Sequence, residues 1–286
     1  IVLLAKPWDG SIEEENQSLV QYLGVDLVEL ARENKLDPVV GRESELNNLE
    51  SILCRRRKNN VVIVGEAGVG KTVLVEGLAQ RIANGNVPPS LRDAKIISLN
   101  VSDIMAGSKM RGDVEEKVTA IIEEVTQSEN TILFIDEIHN IVAPGMPGSS
   151  SDISAVLKPA LTQGNFRCIG ATTTEDYSAY FETDNALARR FQPLFLEELS
   201  VESTIEVLKA VRPLLEKHHN VKISDDAILM AAQLSDRFVA DRYLPDKAID
   251  VLDEASSSKK LDVEADFKDI EELKGIDKLD VYEIKI

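Results

Sequence analysis

The sequence predicts an α/β fold, a mainly parallel sheet flanked by helices, followed by a small helical domain. Three observations predict it. Apolar runs of strand length alternate with helix-spaced stripes up to about residue 198. A glycine-rich segment, GEAGVGKT at 65–72, lies between one such strand and one such helix. Beyond residue 200 the pattern changes to helices alone.

Taken in order, residues 1–34 are a mixed, acidic lead-in with a helix expected over 18–33. Pro38 and Gly41 interrupt the chain, and a second helix is expected over 43–57. It would close on the basic run Arg55, Arg56, Arg57 and Lys58, because cations favour the negative end of a helix dipole. Residues 61–64 are continuously apolar, as in a strand covered on both faces. Leu74, Leu78 and Ile82 then lie four apart, a helical stripe over 72–83 that stops at Gly85. A strand is expected at 95–99, and a helix at 113–126 with Val114, Val118, Ile121, Ile122 and Val125 on one face. A buried strand follows at 131–135, a flexible loop at 145–151, a helix at 153–161, and strands at 166–171 and 194–196. Helical spacing then covers 201–217, 225–239 and 246–258, with Pro213 expected to kink or split the first. The tail from 260 has no clear register and reads equally as helix, linker or disorder. The domains expected are a lead-in over 1–34, a large α/β domain over 35–198, a small helical domain over 199–259 and a tail over 260–286.

Composition narrows the function classes. At 286 residues and 43% hydrophobic the chain can bury a sizeable core. Acidic residues outnumber basic ones, 50 to 32, for a net charge of −18, which repels phosphate backbones and argues against a nucleic-acid partner. No apolar run approaches the roughly 20 residues of a membrane helix, so no membrane insertion is expected. Cys54 and Cys168 form no metal or CxxC pattern and read as two small buried hydrophobes in a reducing compartment, whether cytoplasm or organelle interior. His218 and His219 lack ligand-spaced partners and read as surface residues. The chain does not open on Met, as in a fragment or processed form, and residues 1–5 are too short for a signal-peptide core.

The chemistry is concentrated in two segments. In 65–72, the glycines Gly65, Gly68 and Gly70, interspersed with Glu66, Ala67 and Val69, let backbone N–H groups curl around phosphate oxygens. The following helix N-terminus adds partial positive charge. Lys71 is placed for the terminal phosphates and the Thr72 hydroxyl for Mg²⁺, so ATP and magnesium are the expected ligands. The second segment, 132–137, ends an apolar strand in Asp136 and Glu137. Asp136 would hold magnesium and Glu137 would polarise an attacking water. Such an acidic pair alone is more often a helix cap; its place after the phosphate loop makes it catalytic.

With LDPVVGRE at 36–43, CIGATTTEDY at 168–177, LARRF at 187–191 and LPDKAIDVLDEA at 244–255, the chain resembles the Clp family of AAA+ unfoldases. The resemblance is to that family's first nucleotide-binding ring, as in the ClpB-type disaggregases, ClpA and ClpC, and spans about 26–258. It implies the AAA+ phosphate-loop fold, a lid domain and a homo-hexameric ring with sites at subunit boundaries. It also implies unfolded or aggregated proteins as substrates, threaded through a central pore, with a peptidase or co-chaperone as further partner. Val39, Val40 and Gly41 would line the adenine pocket with Pro245, Ala248 and Ile249; on residues alone, the valine pair reads as plain core. Thr173 matches the polar sensor, and Arg189 and Arg190 match paired arginine fingers that act on the neighbour's nucleotide, an effect of roughly 10³–10⁵ in rate in related systems.

There are departures. Ala188 stands where the family carries Glu, and in GSKMRGD at 107–113 Met110, flanked by Lys109 and Arg111, replaces the aromatic residue of the substrate-gripping pore loop. Methionine is apolar and adaptable but lacks the flat face of tyrosine. The leading expectation is an ATP-driven unfoldase module. The Met110 and Ala188 departures motivate a catalytically weak, ATP-binding assembly subunit instead, which Glu137 opposes. A DNA-processing AAA+ protein is opposed by the net charge.

Overall fold

The computed structural model describes residues 24–100, 111–128, 130–142, 151–163, 166–274 and 282–284. The chain divides into two compact units, and the division cuts through the glycine-rich loop. Of the described residues, the first unit holds 24–36, Ser44–Gly65 and Lys71–Leu196; the second holds Asp37–Glu43, Glu66–Gly70 and the residues from Glu197 onward.

In the first unit, β1 (Gly24–Asp26) leads into α1 (Leu27–Arg32). The Asp26 carboxylate accepts from the Val28 and Glu29 amides at 2.9 and 3.2 Å. That cap starts the helix at residue 27, later than periodicity suggested, because Asp satisfies amides that an earlier turn would have used. Residues 18–23 lie outside the described set. The next helix, α2 (Glu43–Leu53), also ends early. Arg55 N–H closes a tight turn onto Ile52 C=O at 3.0 Å, and Lys58 takes a left-handed φ of 55°. The basic run therefore follows the helix without capping it.

The remaining strands and the α-helices of four or more residues in this unit are β2 (Asn60–Val64), α3 (Lys71–Ala83), β3 (Lys95–Leu99), α4 (Arg111–Gln127), β4 (Thr131–Ile135), α5 (His139–Val142), α6 (Ser151–Gln163), β5 (Arg167–Thr172), α7 (Asn185–Arg190) and β6 (Phe191–Phe195). Among the described residues six strands form one sheet in the order β1-β3-β4-β5-β2-β6. Only the β1–β3 pair is antiparallel. Every residue of β2 and β4 is buried, as expected for strands with helices on both faces. Alternate residues along the strands, Val62 and Val64, Ile97 and Leu99, Leu133 and Ile135, share one cluster with Val118, Ile121 and Val125 of α4 and Leu157 and Leu161 of α6. β6 begins three residues before the expected strand because Phe191 pairs opposite Asn60 and is itself core, edge-on to Phe181 at 5.6 Å. Cys168 is buried, whereas Cys54 is exposed with its Sγ 3.1 Å from Ser90 Oγ; the expected burial fails there because the chain has already left α2.

The second unit contains α8 (Val201–His219), β7 (Val221–Ile223), α9 (Asp225–Phe238), α10 (Asp246–Lys274) and β8 (Tyr282–Ile284), the last parallel to β7. Ser200 and Ser224 cap α8 and α9 by accepting from Ser203 N–H and Ala227 N–H. Helix α8 runs unbroken through Pro213, since Leu208, Val201, Ile205 and Leu215 hold it on the unit's core on both sides of the proline. It ends at Asn220, which adopts a left-handed φ of 56° and donates to Glu216 C=O. His219 corrects the surface expectation: it is buried, with Nε2 2.6 Å from Asp253 Oδ1 on α10. The tail expected to be ambiguous continues α10 to Lys274. No described helix is long and apolar enough to cross a membrane.

Candidate functional site

Parallel strands present their C-terminal ends at one rim of the sheet, where α/β proteins bind ligands. β2 is followed by Gly65, whose amide donates to Thr172 C=O at 3.2 Å. Helix α3 opens with Lys71 and Thr72. Lys71 Nζ donates to Gly65 C=O at 2.9 Å, and Thr72 Oγ1 donates to Asp136 Oδ2 at 2.8 Å. The predicted metal pair, 64 residues apart in sequence, is thus brought together. A hydroxyl beside a carboxylate is a hard-oxygen donor set that suits Mg²⁺. Among the described residues no cluster of three His, Cys, Asp or Glu could hold a metal ion. Magnesium takes one or two carboxylates from a protein and completes its shell from water and phosphate.

Glu137 follows with φ of 47°, an uncommon backbone state for a residue with a long side chain. Three contacts hold it there. Its amide donates to Asp136 Oδ1 at 2.9 Å, Asn140 Nδ2 donates to its Oε2 at 3.1 Å, and Ile138 N–H donates to Ala171 C=O of β5 at 3.0 Å. Gly170 makes that last docking feasible. A Cβ on it would lie 2.7 Å from Ile138 Cδ1, so only glycine lets the turn after β4 settle against β5. Asp136 and Glu137 remain exposed, able to meet a ligand.

Thr173 caps the short turn Thr174–Asp176. Its hydroxyl donates to Asp176 Oδ2 at 2.6 Å and accepts from the Asp176 amide at 3.1 Å. Asp176 Oδ2 also lies 3.4 Å from His139 Nδ1, which is 3.1 Å from the hydroxyl of buried Thr172. His139, Asp176 and Thr172 were missed in the sequence, although His139 stands two residues after Glu137 and Asp176 lies within the quoted CIGATTTEDY stretch. The group links the ends of β4 and β5 directly behind the acidic pair.

In the second unit, Gly68 and Gly70 adopt φ of 85° and 95°, and a Cβ on Gly68 would come 2.9 Å from Asp246 Cβ at the start of α10. The glycine-rich loop is therefore shaped for close backbone approach. Buried Arg42, also missed although LDPVVGRE contains it, donates from one nitrogen to Val69 C=O at 2.9 Å and to Glu197 C=O at 2.8 Å. Half-buried Val39 and Val40, exposed Gly41, half-buried Pro245 and Ile249, and buried Ala248 belong to this same unit. Lys247 is buried against Glu198 at 3.2 Å. Burial, then Asp250, raises the Asp246 carboxyl above its ordinary range, while Arg242 opposes this.

Arg189 and Arg190 are exposed at the end of α7, immediately before β6. The register pairs Phe191 with Asn60, at the N-terminal end of β2, whereas Lys71 and Thr72 follow that strand's C-terminal end. A five-residue strand at about 3.3 Å per residue separates the two ends by roughly 13–17 Å. These arginines therefore occupy the rim opposite the chain's own Lys71. Lys109 and Met110 lie outside the described residues; Arg111 opens α4.

Asp184 positions the arginine helix. It accepts from the Ala186 and Leu187 amides at 2.9 and 3.3 Å and pairs with Lys158 of α6 at 2.8 Å. The Lys158 hydrogen bond, with help from the two amides, holds its carboxyl below the usual range. Its stabilising contribution is therefore present above the unfolded value of about 3.9 and is lost as pH falls through the lower folded value. Asp184→Ala should cost about 1 kcal/mol at neutral pH. Denaturant titrations at several pH values should show the difference from wild type closing in acid.

Residues 61–199 match the family described as "ATPase family associated with various cellular activities (AAA)", and residues 200–282 match the AAA lid domain. Chaperone protein ClpB of Aquifex aeolicus is 52% identical over 92% of this chain and 26% of its own length. A ClpA homolog described as an ATP-dependent Clp protease ATP-binding subunit, from Cyanidium caldarium, is 50% identical over 91% of this chain and 31% of its own length. The chain thus spans about a quarter to a third of the curated relatives it matches. Among solved structures, the S. cerevisiae Hsp104–ADP complex superposes with a TM-score of 0.80 at 40% identity, covering 86% of this chain and 42% of that one. Hsp104 with ATPγS and FITC casein in the closed state gives 0.80 at 38%, covering 93% and 43%. Core followed by lid, with Clp-type relatives at about half identity along most of its length, the chain belongs to the AAA ATPase family.

Proposed function

We propose that this chain is the ATP-binding and hydrolysing module of a ring-forming protein unfoldase or disaggregase. The observation that carries it is the 2.8 Å bond from Thr72 to Asp136, which joins the helix after the GEAGVGKT loop to the acidic pair. Lys71 and the loop Gly65–Gly70 hold the phosphates of ATP, Thr72 and Asp136 hold magnesium, and Glu137 orients a water and accepts its proton. The metal supplies charge neutralisation on the phosphates when bound. Val39, Val40 and Gly41 hold adenine together with Pro245, Ala248 and Ile249. Thr173, tied to Asp176, is the polar sensor beside the acidic pair.

Residues 35–198 act as the large domain and 199–259 as the small one. Arg189 and Arg190, on the rim away from the chain's own lysine, serve the next copy in a homo-hexamer. The loop bearing Lys109, Met110 and Arg111 grips an unfolded or aggregated protein, with a peptidase or co-chaperone as further partner, in a reducing compartment. That an Hsp104 relative is described with both a nucleotide analogue and casein supports this assignment.

The test is Glu137→Gln. Steady-state ATP turnover should fall about 100-fold or more while ATP still binds. It should be measured over a range of protein concentrations with native mass recorded at each. Turnover unaffected by the substitution in an assembled sample sinks the catalytic assignment.

A further inference from the structure

The rim that carries Arg189 and Arg190 also carries a cavity of about 410 Å³. Arg56, Arg57 and Lys58 line it alongside the two arginines, together with Asn59, Asn60 and Phe166, and no acidic residue stands among the described lining residues. In a chain with 50 carboxylates and 32 cations this is a marked segregation of charge. None of the five cations forms an ion pair or hydrogen bond with another described residue.

The run is held in place from both sides. Arg55 reaches across to Gln192 Oε1 of β6 at 3.4 Å, and Lys58 adopts its left-handed turn. Buried Asn60 then accepts from Cys168 N–H at 3.0 Å. An adjoining cavity continues with Arg55 and Arg167, and no acid stands among its described lining residues. Clustered guanidinium groups around a concave site focus positive potential and match phosphate geometry. The chain's own Lys71 lies at the other end of the strands, so the anion must come from outside the chain.

We propose that Arg56, Arg57 and Lys58 complete, with Arg189 and Arg190, a single polyphosphate-binding cavity whose occupant is the phosphate tail of a nucleotide carried by a second copy of this chain. This deepens, and rests on, the role assigned above to the arginine pair. It adds the basic run as part of the same contact and gives that run its purpose.

Inorganic tripolyphosphate titrated calorimetrically into the full chain carrying Lys71→Ala reads this cavity with the chain's own phosphate site disabled. Saturable binding is expected, weakening with salt. It should drop roughly tenfold or more when Arg56→Ala and Arg57→Ala are added, and similarly for Arg189→Ala with Arg190→Ala. Circular dichroism serves as the check that these exposed substitutions leave the fold intact. Absence of saturable binding, or loss with the second pair alone, overturns the proposal; the latter leaves the arginine-finger reading standing. A second arm identifies the source of the phosphate. Glu137→Gln chains saturated with ATP should associate with wild type in sedimentation, and with Arg56→Ala/Arg57→Ala roughly tenfold more weakly. Tripolyphosphate binding with no such loss of association means a free-anion site and rejects the second-copy occupant. Failure of the nucleotide reading itself would appear separately, as ATP binding to the wild type that ignores Lys71.

Discussion

Lys71→Ala should abolish measurable ATP binding at concentrations that saturate the wild type. The side chain is a point charge at the mouth of the sheet, with Nζ 2.9 Å from Gly65 C=O, so it is already gathered over the start of the glycine-rich loop. Truncating one partner of a charged, partly desolvated contact costs about 2–5 kcal/mol, roughly a hundredfold or more in Kd at the middle of that range. Lys71 is only half-buried and lies outside the hydrophobic cores, so unfolding midpoints should stay near wild type. Calorimetric titration with ATP and Mg²⁺, alongside thermal denaturation, separates the two quantities. Undiminished ATP uptake by a folded variant would remove the basis of the nucleotide assignment.

The second large effect is on stability. Phe134 lies in β4 at 1% exposure, two residues before Asp136. Alternation places it on the face opposite Leu133 and Ile135, which belong to the cluster under α4 and α6. Phe134→Ala removes a ring from a close-packed interior and leaves a cavity, at a cost of about 3–5 kcal/mol. That is a large share of the roughly 5–15 kcal/mol available to a natural protein. Denaturant unfolding should show a lower midpoint at unchanged slope, corresponding to that loss of free energy. A cost below about 1 kcal/mol would mean that the β4 core is not packed as described.

Much of this architecture was readable because its signals are local. The apolar runs of β2 and β4 and the stripe of Leu74, Leu78 and Ile82 each report on their own element. The strand–loop–helix setting of the glycine-rich segment and the place of the acidic pair after β4 were readable for the same reason, since each occupies consecutive residues. Features set by distant partners were not. His219 looked like a surface residue because Asp253, the group that makes its burial tolerable, stands 34 positions away. The end of α2 was misplaced because helical propensity persists through Arg57, whereas the need to bring Asn60 onto β5 and β6 turns the chain at Cys54. Pro213 carried a strong local signal for a break that tertiary packing overrode. The alignment of His139, Thr172 and Asp176 exists only once β4 and β5 lie side by side. The substrate-gripping assignment of Met110 lies outside the described residues.

Arg42 has a mechanical consequence. A single guanidinium nitrogen spans the carbonyls of Val69 and Glu197, with no flexible methylene between the two bonds. The backbone of the glycine-rich loop and residue 197 are thereby fastened as by a rigid strut, so that neither oxygen shifts appreciably without pulling on the other. An ammonium on a longer, more mobile stem offers no such planar brace. A lysine at position 42 would keep the charge and slacken the fastening.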